Sequence, residues 1–198
     1  MAINVANNNS LSAITSLPAS VSGGAMTLLS TQTASSSSTV TFDSNIDSTY
    51  KEYIFKYYDV HPSAGVRLAV NFRDGSTAYD ATKTSTFFEV YQNEAGTSTS
   101  LAYVTDYDLA QSTAVQSIGY IGNENDESCA GTLHLYDPSN TTFVKHFIAK
   151  TPGYHGSDLA LTSYVAGYCN TTAAIDGVQF SMTSGNIDAG TFKMYGVS

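Results

Sequence analysis

The chain has 198 residues, of which only 13% are charged, against about a quarter in an average soluble protein, while Ser and Thr number 26 and 24. Low charge with abundant Ser, Thr, Tyr, Phe and Val disfavours helical bundles and coiled coils, which are built from Ala, Leu, Glu and Lys. Eight basic residues face 17 acidic ones, giving −9, and no two basic residues are adjacent; this excludes the clustered cations that nucleic-acid binding needs and disfavours an anionic membrane surface.

In chain order, the segment 1–25 comes first. It holds no charged and no aromatic residue and ends beyond Gly23-Gly24. A stretch of Asn, Ser, Ala and Gly with scattered aliphatics cannot form its own core, so it reads as an extended arm with a joint at the two glycines. Its apolar residues Ile3, Val5, Leu11, Ile14 and Leu17 are the candidates for docking on a partner. Met1–Ser10 lacks Lys and Arg and Leu11–Pro18 is too polar for a secretory core segment, so synthesis for a cytosol is expected. No apolar run approaches the roughly 20 residues of a membrane-spanning helix.

Residues 26–198 read as strands and turns. Glu52–Val60 is apolar on both faces, as a central strand would be. Val66, Leu68, Val70 and Phe72 alternate with Arg67, Ala69, Asn71 and Arg73, predicting one buried and one wet face. Asp74-Gly75 follows as a hairpin signal. Leu133 and Leu135 alternate with Thr132, His134 and Tyr136; the turn 137–140 leads to a returning strand over Phe143–Ala149. Val178, Phe180 and Met182 alternate next, a loop is expected over Thr183–Gly190, and Thr191–Val197 forms the last strand. About ten short strands with regular turn signals predict an all-β, jelly-roll-like, two-sheet antiparallel β sandwich with an extended N-terminal arm.

The chemistry-bearing residues assemble no reaction centre on paper. His61, His134, His146 and His155 lack metal spacing. Within Tyr154–Asp158, His155, Ser157 and Asp158 are adjacent, but no nucleophile elbow surrounds Ser157, so the segment reads as a Gly-rich turn. Glu124, Asp126 and Glu127 are weak Ca²⁺ candidates on ligand chemistry alone, and a solvated acidic loop is the commoner outcome; Asp106 and Asp108 form a second acidic pair. Glu52 and Asp59 do not supply the carboxylate pair of a glycosidase. Catalytic residues, cofactors and metal ligands are therefore expected to be absent. Cys129 and Cys169 read as two buried free thiols, with a single bridge as the alternative. The 14 Tyr and nine Phe could stack on sugar rings or anchor an interface.

Five phrases taken together, Leu28–Phe42, Ile46–Pro62, Tyr103–Ser112, Leu133–Ala149 and Ser184–Ser198, resemble small virion structural proteins of marine tailed bacteriophages, described as virion, tail-fibre-like or head-decoration-like. The resemblance spans nearly all of 26–198 and brings no catalytic motif. It implies a virion protein assembled in the host cytoplasm, whose partners are other capsid or tail proteins. It further implies a homo-oligomer, with trimers among the analogous arrangements. A head-decoration protein docked through its arm is the leading expectation. A tail appendage binding host surface glycan, or a carbohydrate-binding module, are the alternatives.

Overall fold

The computed structural model describes residues 25–197. The arm and its residues Ile3, Val5, Leu11, Ile14 and Leu17 lie outside the described residues. Those described form no helix and twelve strands: β1 (Met26–Ser37), β2 (Thr39–Phe42), β3 (Glu52–Pro62), β4 (Val66–Arg73), β5 (Lys83–Asn93), β6 (Thr99–Tyr103), β7 (Gln116–Ile121), β8 (Cys129–Tyr136), β9 (Lys145–His155), β10 (Leu159–Cys169), β11 (Gly177–Met182) and β12 (Ile187–Val197). Twelve replace the expected ten or so; β2 and β6, of four and five residues, are too short to show a period.

The large sheet has the order β1-β12-β3-β8-β9-β10-β5-β6 and the small one β2-β11-β4-β7. All pairings are antiparallel. This order resolves into a frame and an extension. The four strands β1-β12-β3-β8 opposite β2-β11-β4-β7 are the two interleaved Greek keys of an eight-stranded jelly roll. Two hairpins are inserted into that frame, β5–β6 between β4 and β7, and β9–β10 between β8 and β11. Both join the large sheet beyond β8 and double its width.

The core fills the space between the layers. Phe180 of the small sheet lies 6.4, 6.0, 5.9 and 5.2 Å, ring to ring, from Phe42, Phe55, Tyr57 and Phe192. Phe72 meets Phe147 of the extension at 5.0 Å. Alternation along β3 places Tyr53, Phe55 and Tyr57 inward, all fully buried, and β3 is central as expected, between β12 and β8.

Four local expectations are corrected. The second face of β4 is not wet: Ala69 and Asn71 are buried, and Asn71 Nδ2 donates to the Thr113 carbonyl at 3.1 Å, in the segment before β7. Asp74-Gly75 makes no hairpin. It begins a crossing from one sheet to the other, with Gly75 in the left-handed region at φ 89°. The returning strand begins at Lys145 and runs on to His155 through Pro152. Proline cannot donate to a ladder, and the β8–β9 pairing is interrupted there, from Cys129 with Gly153 to Thr132 with Lys150, and resumes in the same register. Finally, β12 starts at Ile187 inside the expected loop, its first residues irregularly paired and Gly190 at φ 145°.

Candidate functional site

Several of the residues singled out for chemistry are engaged in structure, and the others are exposed. His61 Nδ1 lies 2.7 Å from the Glu127 carbonyl, and His134 Nδ1 lies 2.6 Å from Glu52 Oε1. His146 is exposed, its ring 6.2 Å from that of Tyr168. His155 ends β9 instead of sitting in a loop, and stacks on Tyr120 at 4.1 Å; burial, then repulsion from Arg67, lowers its pKa. The Ser157 backbone N–H, not its hydroxyl, donates to His155 Nδ1, and Asp158 accepts from the Tyr154 hydroxyl. These residues form the β9–β10 turn. Asp59 sits where the β3–β8 register slips, at φ 51°, and Asp108 accepts from the Tyr103 hydroxyl at 2.6 Å.

In the acidic loop, Glu124 and Asp126 are exposed while Glu127 is buried. The Glu127 carboxylate turns inward and accepts the Glu124 backbone N–H at 2.6 Å, closing its own loop. Among the described residues no three His, Cys, Asp or Glu side chains converge to hold a metal ion. Cys129 and Cys169 are buried free thiols, unbridged. Desolvation pushes both up, Cys169 to about 12.

The structure instead gathers residues on the outer face of the large sheet. In antiparallel pairing, directly opposite residues share a face. One row crosses all eight strands: Tyr103, Phe88 and Tyr164, then Lys150, Thr132, Lys56, Lys193 and Thr31. Its first part is aromatic, with Phe88 and Tyr164 stacked at 4.9 Å and nearly parallel. Its second part carries Lys150, Lys56 and Lys193, three of the four lysines that reach solvent. The two parts are joined by Lys150 Nζ, 5.6 Å from the Tyr164 ring centre, a cation–π distance.

The neighbouring row is Leu101, Val90, Thr162 and Pro152. Leu101 is 71% exposed, Tyr103 53% and Phe88 40%. Exposed apolar side chains occur singly on most proteins; a contiguous set signals an interaction surface. Two grooves border this set. One of about 630 Å³ is lined by Asn93, Glu94, Pro152, Tyr154 and Ala160 among others. The second, about 510 Å³, is lined by Val90, Leu101 and Thr162 and shares Gln92 and Ala160 with the first.

Single-sequence reasoning missed this surface. The period-two pattern of β5 was available in Thr84, Thr86, Phe88 and Val90, but which alternate face meets solvent depends on which strands are neighbours. No helix of the described residues is long and apolar enough to cross a membrane. No protein-family model matches the chain, and no curated protein matches it.

Proposed function

We propose that the protein is a non-enzymatic structural protein of a tailed-phage virion, exposed on the particle surface. In this reading it is head-associated, assembles in the host cytoplasm as a homo-oligomer, and docks on other virion proteins through residues 1–24 while the sandwich faces outward. The resemblance of 26–198 to virion structural proteins supports this. The observation that supports the non-catalytic part is that His61, His134, His155 and Glu127 are held in structural hydrogen bonds or stacking, while the outer face of the large sheet presents an aromatic and lysine row. A net charge of −9 keeps such a domain soluble at high local concentration. Particles assembled with a variant lacking residues 2–24 are expected to lack the protein while the isolated variant stays folded. Normal incorporation of that variant refutes arm docking.

The outer row favours one second reading, an appendage that binds host surface glycan. Stacked Phe88 and Tyr164 offer flat apolar area beside cations, the combination that receives a sugar face with polar substituents. Saturable adsorption of the isolated protein to host cells, lost on Phe88→Ser, is expected under this reading. Virion incorporation without adsorption returns the role to the head.

A further inference from the structure

Two lysines are fully buried, Lys83 on β5 and Lys145 on β9. They flank Cys169 on β10 in one cross-strand row. Their surroundings differ. Lys145 Nζ donates to three backbone carbonyls, of Asn140, Phe143 and Thr171, at 3.0, 3.3 and 2.8 Å. Three acceptors match the three protons of an ammonium. Lys83 Nζ has two acceptors: the Ala81 carbonyl at 2.7 Å and the side-chain Oδ1 of Asn71 at 2.5 Å. Two acceptors match the two protons of a neutral amine.

The Asn71 amide is held as an acceptor of nucleophiles would be. Its Oδ1 receives the Phe72 backbone N–H at 3.0 Å, a donor placed on the oxygen where negative charge would develop during addition to the carbonyl. Its Nδ2 is held by the Thr113 carbonyl at 3.1 Å. Lys83 Nζ therefore lies 2.5 Å from the oxygen of an amide whose carbon is the next atom along, in a buried site. Lys83 is fully buried and Asn71 6% exposed.

We propose that Lys83 and Asn71 form an intramolecular isopeptide bond, a covalent tie between β5 of the large sheet and β4 of the small one. Neutral Lys83 Nζ adds to Asn71 Cγ, and the Nζ–Cγ bond forms. A proton passes from Nζ to Nδ2, the Cγ–Nδ2 bond breaks, and ammonia leaves. One amine and one primary amide become one secondary amide and ammonia, with no oxidant or reductant. Burial prepares the nucleophile: desolvation draws the Lys83 pKa down to about 8, opposed through space by Cys169, Asp80 and Asp74. Roughly a tenth of the side chains are then neutral at pH 7, against well under a thousandth for a solvated lysine. The product keeps the useful contacts. Its single N–H retains the Ala81 carbonyl, and its oxygen retains the Phe72 N–H.

The pairing is not a general property of buried lysines here, because Lys145 meets only backbone carbonyls. Held side by side, an amine and an amide gain a large effective concentration, and rotation of the amine from the oxygen towards the carbon is the step that remains.

The test is the intact mass of the purified full chain, freshly prepared and again after incubation at about pH 8, followed by trypsin digestion. The expected mass is lower than the sequence mass by one ammonia. Residues 68–73 should emerge joined to a peptide that reads through an uncleaved Lys83. Asn71→Ala and Lys83→Met should each restore the full mass expected for their sequence. An undiminished wild-type mass after incubation overturns the proposal. So does loss of ammonia accompanied by a free 68–73 peptide, which would place the loss elsewhere. The wild-type measurement decides even where a variant fails to fold.

Discussion

The two halves of the large sheet use the same strand chemistry for opposite ends. In the frame, β1-β12-β3-β8 has an opposing sheet, and its inner side chains are aromatic and aliphatic, with Phe180 inserted from across the sandwich. In the extension, β5 and β6 run past the small sheet. The inner face of β5 carries Lys83, Ser85, Phe87 and Glu89, and it is closed by a loop together with polar side chains that reach over from β4 and β7. Arg67 reaches from β4 to Glu89 with a bidentate pair at 2.7 and 3.3 Å. Its guanidinium lies 3.5 Å from the Tyr107 ring centre, and Ser163 donates to the same carboxylate at 2.7 Å. Gln116 ties the loop to this layer through the Tyr107 carbonyl. Where a second sheet supplies apolar area, hydrophobic burial suffices. Where the cover is a loop and the polar side chains of two neighbouring strands, those polar groups must be satisfied, so it is built from hydrogen bonds and one ion pair.

This contrast can be broken at its strongest point first. Phe180→Ala removes the ring around which four others gather, and should destabilise the protein by about 3–5 kcal/mol in chemical denaturation. A loss below about 1 kcal/mol would mean that the frame core is not the dominant support.

Glu89→Ala tests the extension. It leaves the Arg67 guanidinium, whose side chain is 11% exposed, without its carboxylate, and should cost about 3 kcal/mol. Replacing both partners, by Arg67→Met with Glu89→Leu, should recover much of that loss, because the cost comes from the stranded charge. A double variant as unstable as the single one would locate the cost in lost packing.

Alkaline pH loads both regions. Cys129 and Tyr57 of the frame and Cys169 of the extension have pKa values raised by desolvation. A group that stays protonated in the folded state while its unfolded counterpart ionises withdraws stability as pH rises. For Cys169 the window runs from about 9 to about 12. Each such group should remove about 1.4 kcal/mol per pH unit across its window. Lys83 has the reverse sign. Its lowered pKa makes stability rise with pH between about 8 and 10.5, provided its amine is free. Denaturation midpoints measured against pH should show that rise between about 8 and 9, before the cysteines oppose it, in Asn71→Ala and lack it in a crosslinked wild type.

The smallest effect is expected on the outer face. Leu101→Ser, at a position 71% exposed, should change stability by no more than about 0.5 kcal/mol while reducing adsorption or assembly. An equal loss of stability and binding would make the outer face part of the fold and not a contact surface.

Much of the frame was legible in the residues, because a period of two survives wherever one face is buried and the other is not. Val178, Phe180 and Met182 show it, as do Leu133 and Leu135. The second face of β4 was not legible, since Arg67, Ala69, Asn71 and Arg73 look like a wet face until the fold brings Tyr107 to Arg67 and Thr113 to Asn71. Glu127 illustrates the same limit in the acidic loop. Its identity suggested a ligand, and its direction, inward to the Glu124 N–H, was decided by the fold.

The sequence by itself determined an all-β chain with little charge, strands of alternating pattern, and cysteines too few for a disulfide framework. These follow from composition and local periodicity, which act over a few residues. Only the tertiary structure decided that two hairpins widen one sheet, that Tyr103, Phe88 and Tyr164 line up with three lysines, and that Lys83 ends beside Asn71. Each of these depends on which strands become neighbours across long stretches of chain. That choice is made by the burial of whole faces, and no single strand carries it.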